Sequence, residues 1–500
     1  MPENVLPFQY QAEKKDAKLT RFAGLPLFIE LAVKSGLTQN METLQTKQYG
    51  WNDTEVLLSL ISLNLAGGDS IADIDALEED SGLRTLLMEL DTHGMRRQQK
   101  RANMKRWRRK KTRAVPSNAA IHRYLSVFHS PKENEKRVEG KAFIPAPNEA
   151  LKNLIALNKT LIDYKQANQP STVATLDQDA TLTKTYKHSA YFSYKKFKAY
   201  QPFNTYWSEQ GMLLHSEFRD GNVNAGFEQL RILKEALALL PSSVVEVFLR
   251  SDSAGYQEEL LRYCAEGLNE RFGAIHFAIA SKVCKEIRNE AKQLKPEEWK
   301  TLYYEDSEGI KIKTTQEYAE IVHIPDWAMK SQVKYRYFVI REAMRPSKST
   351  KESELPFQII ESDGQSYKLF AMVTNLDWEG NKIIQWHRER CGNSEHVHSA
   401  QKSDLAGGKM PSGKFGVNAA WWQIMILAFN LNRLMQTLVF PKQFKKSRLK
   451  AIRFHILGLP GRVIYHGGQW FLRVKEKHFL LYEKIRQKIG ELPYAVLNTT

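Results

Sequence analysis

The stretch Val173-Ala174-Thr175-Leu176-Asp177-Gln178-Asp179-Ala180-Thr181 runs from an apolar, β-branched segment straight into two aspartates. The first four residues predict a buried strand. Asp177 and Asp179 are two apart, so on that strand both point to the same face. A carboxylate at the end of a core strand is costly to desolvate unless a positive charge neutralises it, and a metal ion is the usual one. The alternative is a strand-terminal Asp that caps a turn.

Downstream, Val244-Val245-Glu246-Val247-Phe248-Leu249-Arg250-Ser251-Asp252 is a second strand ending in an aspartate. Between the two lie a hairpin, Phe203 to Trp207 and Met212 to Phe218 around Ser-Glu-Gln-Gly, and a helix from Ala225 to Leu240. A helix from Gln257 and a strand from Ile275 to Ala280 follow. Three meandering strands, helix, strand, helix, strand is the order of a ribonuclease H-like fold, in which the first and fourth strands lie side by side. That pairing brings Asp179 and Asp252 together. The expected class is therefore α/β: a mixed sheet with helices on both faces, an inserted β subdomain and a helical N-terminal region.

Five hundred residues predict several domains, and 42% hydrophobic residues are ample for packed cores. Residues 1–147 read as a helical region carrying a basic, nucleic-acid-contacting stretch, in which Asp53 is expected to cap a helix ending at Gly67-Gly68. Residues 148–440 read as the ribonuclease H-like domain, interrupted by a β-rich insertion over 296–376, and 441–500 as a basic C-terminal subdomain. Lys plus Arg number 73 against 56 Asp plus Glu, a net charge of +17 that points to a polyanion. Residues 96–113 hold eleven Lys or Arg and no acid. Phosphate backbone is the expected partner of Lys105, Arg106, Arg108, Arg109, Lys110 and Lys111. Cys264, Cys284 and Cys391 have neither disulfide nor zinc spacing, and no run of about eighteen apolar residues occurs. With no signal pattern at the N-terminus, the expectation is a soluble protein of a reducing compartment, with no membrane partner.

The remaining acidic candidate is Glu395, in Trp386-His-Arg-Glu-Arg-Cys-Gly-Asn-Ser-Glu-His-Val-His-Ser-Ala-Gln-Lys402. Glu395, His398 and Lys402 are spaced to share one helix face. Together with Leu-Asp-Gln-Asp-Ala-Thr and Phe-Leu-Arg-Ser-Asp-Ser-Ala-Gly-Tyr, this stretch resembles the DDE transposases of bacterial insertion sequences, in particular the cut-and-paste group with a β insertion. That group's signature is tyrosine, two residues, arginine, three residues, glutamate, six residues, lysine. Glu395 and Lys402 keep the last spacing. Arg390 stands one residue too far from Glu395, and His387 takes the tyrosine's place.

The resemblance implies a DNA transposase whose Asp179, Asp252 and Glu395 hold two Mg²⁺ ions, with Mn²⁺ as a substitute, and it favours Asp179 over Asp177 through an Asp-x-Thr pattern. It further implies Arg390 and Lys402 against DNA phosphates, transposon terminal inverted repeats and target DNA as partners, a homodimer on DNA, and a cytoplasmic, nucleoid-associated enzyme. A non-transposing nuclease or resolvase on the same core and a silent domesticated DNA-binding protein are the competing expectations.

Overall fold

The computed structural model describes residues 12, 16–46, 50–90, 113–305, 309–329, 333–344, 358–362 and 364–495. The basic stretch with Lys105, Arg106, Arg108, Arg109, Lys110 and Lys111 lies outside them, except for Arg113. The chain forms two compact units, each drawn from discontinuous stretches. Residues 1–130, 147–161 and 401–500 make one; residues 131–146 and 162–400 make the other. Three consecutive segments were expected. The division differs because distant parts of the sequence complete each other's cores.

In the first unit, the helix Asp53–Ala66 is capped by Asn52, whose side chain accepts from the Glu55 amide while Glu55 answers the Asn52 amide. Asp53, the expected cap, is instead the first helical residue and accepts a 2.7 Å hydrogen bond from the buried Tyr124 hydroxyl. The helix Phe415–Leu434 has every residue but Arg433 buried, rather than a single apolar face. Among its internal polar groups, Asn430 donates a 2.6 Å bond to Asn158. The expected C-terminal hairpin forms from Gly461–His466 and Gln469–Val474, and its first strand pairs with Leu19–Thr20. Residues 441–500 thus complete the N-terminal region's structure and are not a satellite. Among the described residues no single helix is long and apolar enough to cross a membrane.

The second unit is built on one ten-stranded sheet. In chain order its strands are β1 (Val173–Ala180), β5 (Phe203–Trp207), β6 (Met212–Glu217), β7 (Glu246–Ser251), β8 (His276–Ser281), β9 (Lys300–Glu305), β10 (Lys311–Ile321), β11 (Arg336–Ala343), β12 (Gln358–Ser362) and β13 (Gln365–Thr374). Three short strands, β2 (Thr183–Lys184), β3 (Tyr191–Phe192) and β4 (Lys198–Tyr200), form a separate small sheet between β1 and β5. The core order is β6-β5-β1-β7-β8. β1 is antiparallel to β5 and parallel to β7, and β7 is parallel to β8. This is the predicted ribonuclease H-like arrangement.

The β-rich insertion is not a subdomain of its own. β13 pairs with β8 from Ala371↔Ser281 to Thr374↔Ala278, so β9 to β13 continue the same sheet. Residues of this extension (Leu302, Tyr318, Phe338, Ile340, Met372) join Phe248 and Ala278 in one buried cluster. Ile383 and Ile384 of a long helix, α1 (Gly380–Ser399), pack into it. Burying each of these isoleucines is worth about 1.5–3 kcal/mol, which is what presses α1 onto the sheet. At its first residue, Gly380, a Cβ would stand 2.6 Å from the Tyr318 ring and 2.7 Å from Phe338. Only glycine lets the helix start so close.

Candidate active site

The register of the central strands places the acids. Gln178 of β1 is paired with Ser251 of β7, so Asp179 and Asp252, each one residue further on, stand at the same end of adjacent strands. Asp252 also opens the short turn that follows, accepting a 3.0 Å bond from the Ala254 amide. Both carboxyls are raised above the usual carboxylate range, Asp179 chiefly by burial and Asp252 by burial and then by the Asp179 charge. Arg390 of α1 partly relieves this, its guanidinium lying 2.9 Å from Asp179. Ser394, one turn on, also bonds Asp179.

Asp177 has a different occupation. It is buried, and its two oxygens take bonds of 2.6 and 3.0 Å from Arg250, the residue paired with it on β7. Arg250 is itself fully buried. Its remaining donors reach the Trp386 carbonyl at 2.6 Å and Glu389 at 2.9 Å, and its guanidinium lies 5.0 Å from the Trp386 ring. Asn393 of α1 adds a 2.9 Å bond to Asp177. Such a bidentate, fully bonded carboxylate has little capacity left for a metal. Asp177 therefore ties α1 to the two strands, while Asp179 faces the site.

The side chains of α1 that reach Asp177 and Asp179 are Arg390, Asn393 and Ser394. Glu395, a further 100° around the helix, is exposed. Asp179 and Asp252 thus meet as predicted, but Glu395 does not join them: among the described residues no group of three His, Cys, Asp or Glu stands ready to hold an ion. Lys402 is exposed and falls in the other unit. The α-helix ends at Ser399 and continues as a π-helical turn over Ala400–Asp404, which breaks the even face predicted for Glu395, His398 and Lys402. Arg390, expected on a phosphate, is buried against Asp179 instead. His387 contacts the Ser251 carbonyl at 3.0 Å, and burial pulls its pKa down to about 4, so it is neutral near pH 7.

A model of the family described as transposase DDE domain group 1 matches residues 9–489. The chain belongs to this family. The transposase is a DNA-cleaving enzyme of a class that uses divalent metal ions. Among solved structures it is similar to piggyBac transposase, in the cryo-EM structure of its synaptic complex with hairpin DNA. The two are 9% identical, the match covers 96% of this chain and 87% of that one, and the TM-score is 0.41. No curated protein matches the transposase.

Arg250, Asn393 and Ser394 are not among the residues the sequence singles out. Arg250 carried a signal: an arginine inside the apolar run of a central strand needs a buried anion, and Asp177 was available.

Proposed function

We propose that the transposase cuts DNA at the ends of its own element and joins them to target DNA, with Asp179 and Asp252 as the core of the reacting centre. One observation carries this reading: two partly buried carboxylates at adjacent strand ends, each raised in pKa, with one arginine to balance them. Such a pair fits Mg²⁺, which takes one or two carboxylates and completes its shell with water and substrate phosphate. Two such ions, or Mn²⁺ in their place, would polarise the attacking oxygen and stabilise the leaving one.

The protein residues set the geometry. Asp179 and Asp252 supply the oxygen donors from a rigid sheet. Arg390 and Ser394 orient Asp179, and Arg390 carries positive charge beside the place where phosphate charge develops. Glu395 is the third carboxylate in this proposal, reaching the centre from the exposed side of α1 when DNA is bound. Lys402 and the basic residues 105–111 hold DNA phosphates, and the terminal inverted repeats bind to a homodimer. In the cell the enzyme works on nucleoid DNA.

Incubation of the purified enzyme with Mg²⁺ and a duplex carrying the inverted repeats that flank its gene tests this. Strand cuts at the repeat ends and joined products are expected; the absence of cutting with either Mg²⁺ or Mn²⁺ removes the reading. Two variants test the role of Glu395. Glu395→Gln is expected to lower cleavage by about 10³-fold, the several kcal/mol of a lost metal ligand. Ser394→Ala, which removes only an orienting bond, is expected to cost about 10–100-fold. The reverse order would move the functional position to Ser394.

A further inference from the structure

β1 and β5 are interrupted by a tongue that neither the sheet nor the reacting carboxylates require. It spans residues 183–200, the small sheet β2-β4-β3. No Asp or Glu occurs from residue 180 to residue 208, and five lysines fall within the tongue. Its exposed rings are large: Tyr186 is 89% exposed, Tyr194 72% and Phe192 51%. Each has a lysine close by. The Lys184 ammonium lies 5.4 Å from the Tyr186 ring, Lys195 5.8 Å from Tyr194, and Lys198 5.8 Å from Phe192.

The base of the tongue is fixed. Tyr200 is buried and bridges to Asp220. Asp220 is locked in a buried ion pair with Arg137 at 2.7 Å, and Arg137 also donates to the Ser189 carbonyl at 2.8 Å. A Cβ on Gly221 would stand 2.4 Å from the Ala199 carbonyl oxygen, so chain and tongue are in close contact there. The tip is the turn Ser193-Tyr-Lys-Lys-Phe197, in which Tyr194, Lys195 and Lys196 are exposed, closed by a 2.9 Å bond from the Ser193 amide to the Phe197 carbonyl. Lys196 adopts a left-handed φ of 60°, a conformation that glycine takes more readily. The turn carries a charged side chain where the backbone favours none.

Position completes the case. Ala180 pairs with Phe203 and the Thr181 amide donates to the Pro202 carbonyl, so the tongue extends the β1–β5 pair just past Asp179. Its first strand opens at Thr183. From Asp179 to that residue is at most about 13 Å of extended chain.

We propose that this tongue is a DNA-binding platform beside the reacting carboxylates. Its lysines take backbone phosphates while Tyr186, Phe192 and Tyr194 stack on unpaired bases next to the cut. Exposed rings with adjacent cations and no acids match single-stranded DNA, where bases offer their faces and phosphates lie a side chain away. A plain solvated charge patch has no use for three exposed aromatic side chains. The inference rests on the DNA-directed reading above.

The test uses the full-length protein and fluorescently labelled oligonucleotides of one sequence, as a single strand and as a duplex, with anisotropy followed over a salt series. The triple variant Lys184→Ser/Lys195→Ser/Lys196→Ser is expected to weaken both forms and to reduce the slope of log affinity against log salt by about two to three, roughly 0.7–0.9 for each phosphate no longer neutralised. The triple variant Tyr186→Ser/Phe192→Ser/Tyr194→Ser is expected to lose about tenfold or more on the single strand and to keep duplex binding within about twofold. Should either triple variant fail to fold, Lys196→Gly, which suits the local backbone, must still lower the salt slope by about one. Wild-type affinity and slope in the variants, with DNA binding by the wild type intact, would overturn the platform alone. A wild type that binds neither DNA form would overturn the DNA-directed reading together with it.

Discussion

Asp252→Asn is expected to reduce DNA cleavage by about 10³-fold or more while leaving the protein as stable as the wild type or slightly more so. The loss follows from removing a carboxylate that no neighbour replaces, worth several kcal/mol in the transition state. The stability follows from local geometry. The asparagine oxygen still accepts from the Ala254 amide, so the turn after β7 keeps its cap. The substitution also removes the like charge that now presses on Asp179. Asp179→Asn should match it in activity but not in stability, because it leaves Arg390 buried without its anion. Cleavage assays beside thermal unfolding of the two variants separate these outcomes. An Asp252→Asn enzyme that cuts at wild-type rate would remove Asp252 from the reacting centre. One that is inactive but clearly destabilised would show that its role is to hold the turn.

Arg250→Met is expected to be the most destabilising single change near the site, about 3–5 kcal/mol, because it strands Asp177 as an uncompensated buried charge. Both partners have side-chain exposure of 1% or less. Four further interactions of Arg250, with the Trp386 carbonyl, Glu389, the Ser208 hydroxyl and the Trp386 ring, go with it. Removing both charges behaves differently: Arg250→Met/Asp177→Leu should recover most of the loss, since apolar groups of similar volume often replace a buried ion pair at little cost. Urea unfolding of the two variants measures this. A cost below about 1 kcal/mol for Arg250→Met is the range of an exposed pair, and would show that the clamp does not carry α1. The functional consequence of the clamp is positional. It joins β1, β7 and α1 at the level just below Asp179 and Asp252, so the helix that brings Arg390 and Ser394 cannot slide relative to the strands that bring the acids.

The central strands were legible because their burial on both faces leaves nearly continuous apolar runs, which a sequence displays openly. Asp179 and Asp252 were legible for a related reason: a charge at the end of such a run is conspicuous, and parallel pairing of β1 with β7 then fixes their proximity. The β insertion was read correctly as strands but wrongly as a separate body. Edge pairing between β13 and β8 is a long-range event with no local marker. The N-terminal and C-terminal segments were assigned to different domains for the same reason, since Leu19–Thr20 finds its partner strand at Gly461 and Arg462, near the other end of the chain.

By itself the sequence determined the α/β class and the basic character of the chain, because periodicity, burial and charge are properties of neighbouring residues, and its likeness to a ribonuclease H-like order put Asp179 beside Asp252. Only the tertiary structure gave Asp177 and Asp179 different surroundings. The two sit on the same strand face with the same chemistry, and they differ in what the neighbouring strand and α1 place opposite each: Arg250 and Asn393 against the first, Arg390, Ser394 and Asp252 against the second. A helix turns 100° per residue, so the single step from Ser394 to Glu395 separates a side chain that touches Asp179 from one that faces solvent. No spacing rule resolves that step until the helix is packed.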